Sequence, residues 1–153
     1  MCSSDLGKEA LLAALIEREA QRDLAAMRDE MFGCADLPLG SVIERTTETL
    51  VGRHARNPEL YRWMLTYVPA LGRHPKIRAI AAEGRALLRD TLGAHRDELA
   101  PGLEPALAAM ILGSAVEAAV HTAIFERPET LADGTLVREL VALARGYLMR
   151  APL

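Results

Sequence analysis

The sequence predicts an all-α fold, a single bundle-like domain of six helices, on three observations. Half of the 153 residues are hydrophobic but only 4% are aromatic. Ala and Leu therefore carry the packing, and with Glu and Arg they are good helix formers. Alternating Val/Ile/Thr runs of strand type are nearly missing. Apolar residues instead recur every three or four positions through segments of helical length.

The first helix is expected from about Lys8 to Met31. Leu12, Leu15, Ile16, Ala20, Leu24, Met27 and Met31 share one face. Gly33 and the DLPLG stretch break it. Ser41 and Glu44 form a capping-box pattern that opens a helix to about Arg56. Its apolar stripe is Ile43, Thr47, Leu50 and Val51, with His54 one turn on. Asn57-Pro58 stops that helix and starts a short one carrying Tyr61, Trp63, Met64 and Tyr67. The GRHP stretch at Gly72–Pro75 leads into a long helix to about Leu99, with Ile77, Ile80, Ala81, Gly84, Leu87, Leu88 and Leu92 facing inward. Pro105 opens a fifth helix to about Glu126, RPETLADG makes a loop, and a final helix runs from about Thr135 to Arg150.

Net charge is −3 and the pI is near 5.8, so a basic face for gripping nucleic acid is not expected. The two cysteines, Cys2 and Cys34, fit no metal or disulfide spacing, which points to a reduced cytoplasmic setting. No run reaches the roughly 18–20 apolar residues of a bilayer span, and no signal peptide is legible. The sixteen arginines against two lysines, with abundant Ala, Gly and Pro, fit a GC-rich bacterial genome.

No G-x-S-x-G, glycine-rich phosphate loop or H-E-x-x-H is present, so an enzyme is not expected, nor a cofactor. Glu117 and His121 lie one turn apart, half of a metal site, but there is no second copy of the pair; no metal is expected. Met110, Ser114, Glu117 and His121 form a mixed stripe on an apolar helix. Such polar groups either pair with neighbouring helices or a second subunit, or face a ligand cavity. Tyr61, Met64 and Tyr67, with Met27 and Thr47, are either core or the lining of an adaptable apolar pocket. Gly113, Ala115, Ala119 and Ala123 allow close helix approach, and Leu140, Leu143 and Tyr147 widen the apolar face of the last helix. These residues are either buried within the subunit or meet a twofold mate as a four-helix bundle.

Six helices in this order, with Gly7-Lys8-Glu9-Ala10-Leu11-Leu12, Asn57-Pro58, His74-Pro75, Pro105 and the LVRELVALARGYL tail, resemble the C-terminal domain of a TetR/AcrR-family transcriptional regulator. The resemblance covers about residues 7–150. It implies a cytoplasmic homodimer that senses a small hydrophobic or amphipathic effector, and a repressor released from its operator when the effector binds. In such a protein Lys8 would lie near the DNA backbone. The family places a helix-turn-helix head and an aromatic seam before the position of Gly7, where only Met1–Leu6 stand here. Operator binding is therefore expected only through a head missing from this chain. Cys-Ser-Ser-Asp-Leu is what TGC TCT TCC GAT CTN encodes, a string resembling the end of a short-read sequencing adapter. Residues 1–6 are accordingly expected to be non-native or disordered, and residues 7–153 to form the ligand-binding and dimerisation domain. The alternative is a stand-alone helical protein that binds a small molecule or pairs with a regulator subunit.

Overall fold

In a computed structural model, which describes residues 3–71 and 75–149, the chain forms seven α-helices. They are α1 (Ser3–Gly33), α2 (Leu39–Arg56), α3 (Pro58–Leu71), α4 (Pro75–Ala94), α5 (Pro105–Glu126), α6 (Glu129–Ala132) and α7 (Thr135–Leu148), with a 3-10 turn at Arg96–Glu98. Six of them are the expected helices. The α1 helix takes in Ser3–Leu6, whereas Met1, Cys2 and the Gly72–His74 part of the expected helix stop lie outside the described residues.

Three expectations about helix ends change. The RPETLADG segment is not all loop. Its α6 turn buries Leu131 and Thr130, and Thr130 donates from both backbone N and Oγ1 to the Arg127 carbonyl. Gly134 then turns the chain into α7 at φ +77, a left-handed conformation that glycine adopts without a Cβ penalty. The Ser41/Glu44 box does not start α2, because Pro38 leads directly into Leu39. The free Leu39 N–H is satisfied from far away, by the Glu98 carboxylate at 2.9 and 3.0 Å. And α4 ends at Ala94, five residues early, where the 3-10 turn positions Glu98 for that cap. Elsewhere the local signals hold. Asn57 Oδ1 accepts from the Leu60 N–H, and Glu104 accepts from Ala106 and Leu107 ahead of Pro105.

Packing follows the apolar stripes. α4 lies along α5, α7 along α2, and α1 bridges α2 and α4. One buried cluster joins Leu39 and Ile43, Leu92, Leu112, Val141 and Leu148; a second joins Val51, Tyr61, Val120, Ile124, Leu131 and Leu140. Of the expected inner face of α4 only Leu92 is fully buried, and Ala81 is exposed.

α5 departs most from expectation. It is apolar on all sides, and by length and composition it is long and apolar enough to cross a membrane, which corrects the expectation that no run approaches this. Only 33% of its most apolar window is buried in the bundle. Leu107, Met110, Ile111 and Phe125 are each 43–51% exposed along its outer face, with Leu143 of α7 at 50%. Large apolar side chains aligned on one helix face, rather than scattered singly, mark an interaction surface.

Candidate functional site

Four helices converge on a polar centre inside this apolar bundle. α1 contributes Asp23, α2 contributes Arg53 and His54, α3 contributes Tyr61, and α5 contributes His121. Tyr61 Oη donates to both Asp23 carboxylate oxygens, at 2.8 and 3.1 Å, and Arg53 Nε pairs with the same carboxylate. Burial, and then the Asp23 charge, push the Tyr61 phenol far above its usual range, so it stays a donor. Asp23 is thus shared between a neutral donor and a cation, which is how a carboxylate is kept largely inside protein at acceptable cost.

His54 is 6% exposed and its ring lies 4.1 Å, centroid to centroid, from Tyr61. Its Nδ1 is 2.8 Å from the Leu50 carbonyl. A carbonyl only accepts, so Nδ1 carries the hydrogen and, in the neutral ring, Nε2 is the acceptor. That Nε2 has no hydrogen-bond partner among the described residues. The His121 ring faces His54 at 6.4 Å. Burial lowers its pKa, opposed by Glu117 and reinforced by His54. Its ring nitrogens likewise have no partner among the described residues. Beside them Arg62 sends Nη2 to the Ile124 carbonyl at 2.8 Å, in the last turn of α5, while its buried Nε is unsatisfied.

The candidate pocket residues divide. Tyr61 and Met64 are buried, one turn apart on α3, and His121 is half-buried beside them. Met27 is half-buried one turn beyond Asp23. Thr47 is buried two turns before His54, but its hydroxyl donates to the Ile43 carbonyl at 2.6 Å. Met110, Ser114 and Glu117 turn outward on α5, and Tyr67 on α3 is 42% exposed, its ring tilted against Trp63 at 5.2 Å. The three on α5 do not line the interior, because its inner face is taken by Ala108, Ala109, Leu112, Val120, Ala123 and Ile124.

The interface candidates divide as well. Ala115 and Leu143 are exposed. Ala123 and Leu140 are buried inside the subunit, in the second apolar cluster, and so are not available to another chain. Gly113 faces α4, with Leu88 Cδ2 3.9 Å from where a Cβ would stand. Ala119 and Tyr147 pack partly against the two clusters. Gly113, Ala119 and Ala123 thus pack within the bundle, Ala115 does not, and the outward stripe is Leu107, Met110, Ile111, Ser114 and Phe125. Lys8 is exposed on α1.

Asp23 and Arg53 were not legible as site residues. The available signal was Asp23 itself, an acid set on the apolar stripe of α1 between Ala20 and Met27. Among the described residues no three His, Cys, Asp or Glu side chains converge in a metal-holding group.

No curated protein and no solved structure matches the chain. The family described as tetracyclin repressor-like, C-terminal domain, matches residues 38–148, from the residue before α2 to the end of α7. An all-α bundle with this helix order, matched over most of its length, belongs to that C-terminal domain family of TetR-type regulators.

Proposed function

We propose that the chain is the effector-sensing and dimerisation part of a cytoplasmic TetR-type transcriptional regulator, a repressor whose operator contacts are made by a helix-turn-helix head outside this sequence. The polar centre at His54, Tyr61 and His121 supports the sensing role. It groups His54, Tyr61 and His121 with Met64 and Met27 near by, the mixture of polar and apolar side chains that orients a mainly apolar guest with a few polar contacts. A small hydrophobic or amphipathic effector carrying a hydroxyl or N–H would donate to His54 Nε2. The outer stripe of α5, with Leu143, supports the dimer. Two copies related by a twofold axis bury it against itself as a four-helix bundle. Effector binding acts as a population shift, through its differential affinity for two arrangements of the subunits.

The test has two arms. A thermal-shift screen of amphipathic compounds should give hits that weaken on His121→Gln and Tyr61→Phe; hits indifferent to both substitutions would move sensing elsewhere. Sequencing the source DNA upstream of the Gly7 codon, without the suspect adapter, should reveal an in-frame helix-turn-helix. A ribosome-binding site directly ahead of Met1 would instead make this a binding protein with no operator of its own.

A further inference from the structure

A groove runs over the surface between α2 and the α6–α7 segment, and none of the polar-centre side chains lines it. It is open to solvent and offers a volume of about 560 Å³. Its floor is apolar, made by Val51, Val137 and Val141, and Gly52, Ala132 and Ala142 leave it open where larger side chains would fill it. A Cβ built on Gly52 meets no atom within 4 Å. The α2 wall carries Glu44 and Glu48, and the α7 wall carries Arg138 and Arg145.

The charges on the two walls are used unequally. Arg145 crosses the groove to Glu44 at 3.0 Å and to the Gly40 carbonyl at 2.9 Å, strapping one end. Glu48 and Arg138 have no ion-pair partner among the described residues; Arg138 spends one nitrogen on Thr135 Oγ1 at 3.0 Å. A carboxylate with no ion pair and a guanidinium with donors to spare thus line opposite walls of one apolar trough. The groove also stays open when α5 is covered. Arg138, Ala142 and Arg145 lie on one flank of α7, whereas Leu143 and Tyr147 lie on the other, toward the exposed face of α5.

We propose that this groove binds a small zwitterion with an apolar body, its ammonium on Glu48, its carboxylate on Arg138 and its body over Val51, Val137 and Val141. Charge complementarity selects the occupant. A purely apolar molecule would leave both charges unused, and a singly charged one would meet an unmatched charge on one wall. Each contact is partly solvated, so each contributes modestly to affinity and mainly sets specificity.

The experiment is isothermal titration of the full chain with L-leucyl-L-leucine, its N-acetyl form and its C-terminal amide. The free dipeptide should bind, and each capped form should bind about fivefold more weakly, as expected for loss of one exposed ion pair. Glu48→Gln and Arg138→Gln should each match the corresponding cap. Gly52→Leu should abolish binding while leaving the melting temperature unchanged or higher, since glycine inside a helix is unfavourable and the added side chain enters open space. Tyr61→Phe should leave the titration unchanged. Absence of binding in the millimolar range, equal binding of the capped forms, or loss with Tyr61→Phe in place of Gly52→Leu would overturn the proposal.

Discussion

Replacing Tyr61 by Phe removes one oxygen from the polar centre and nothing from its packing. Tyr61 is 7% exposed, and its hydroxyl donates to a carboxylate whose side chain is 20% exposed. A hydrogen bond to a charged group contributes about 1.5–3 kcal/mol net. Because Arg53 still holds Asp23 after the substitution, the carboxylate is not orphaned, and the lower end of that range applies. In a chain of this size 1 kcal/mol moves the melting temperature by about 2–4 °C. Tyr61→Phe should therefore melt about 3–6 °C lower, read by circular dichroism at one protein concentration so that association is held constant. Asp23→Asn should cost more, since it also strands the half-buried Arg53 guanidinium. The double variant should fall short of the sum of the two by about 1 kcal/mol, the coupling expected of side chains in contact. A Tyr61→Phe melt within about 1 °C of the parent, or strict additivity, would refute the network as a stabilising unit.

His121 has a lowered pKa because burial disfavours its charged form, with His54 adding to the effect and Glu117 opposing it. The unfolded chain therefore binds more protons than the folded one below the ordinary value of 6.5, so stability should be full above that pH and fall as the pH drops below it; urea melts of His121→Gln should lack that part of the slope. Met110→Glu and Ile111→Glu put charge on the outer stripe of α5 and should convert a dimer to monomers in sedimentation velocity, whereas a wild-type chain that is monomeric at tens of micromolar would remove the proposed interface. Glu98→Ala takes both acceptors from the Leu39 N–H and should cost about 1–2 kcal/mol, with faster amide exchange confined to the first turn of α2. Unchanged exchange there would mean that Glu98 does not cap the helix.

Helix type and order were legible because burial of one face imprints a period on the chain, and the period survives even where the face is only half-buried, as along α1. Helix ends were legible where the signal is local, as at Asn57-Pro58 and Pro105, and misread where it is not. Nothing near Leu39 announces a carboxylate 59 residues away at Glu98. The site was legible by residue type and not by direction. Tyr61 and Met64 lie inside and His121 is half-buried, whereas Met110, Ser114 and Glu117, for which the sequence left both a cavity and a second subunit open, face outward on α5. On a helix that is apolar all round, periodicity does not distinguish the core face from the exposed one. Asp23 and Arg53 were hidden for the opposite reason, since charged residues on long helices normally read as solvated surface.

The same side chains bear on how a signal could leave the site. Neither apolar cluster contains a residue from α1. On α1 itself Ala13 and Ile16 are buried, Leu12, Leu15, Leu24, Met27 and Met31 are half-buried, and polar contacts add to this packing. Asp23 holds Arg53 and Tyr61; Glu30 takes Arg45 at 2.8 Å and Thr49 at 3.2 Å; Lys76 meets Glu17 at 3.3 Å; Arg28 meets Glu83. Exposed ion pairs are each worth about 0–1 kcal/mol and can exchange for water with little loss. α2, α5 and α7 share packed apolar surface, where displacement opens cavities and costs far more. α1 is thus held both by a half-buried apolar face and by polar contacts, with Asp23 its polar joint to α2 and α3. On the proposed reading, a guest that draws Tyr61 or His54 into its own hydrogen bonds competes at that one joint.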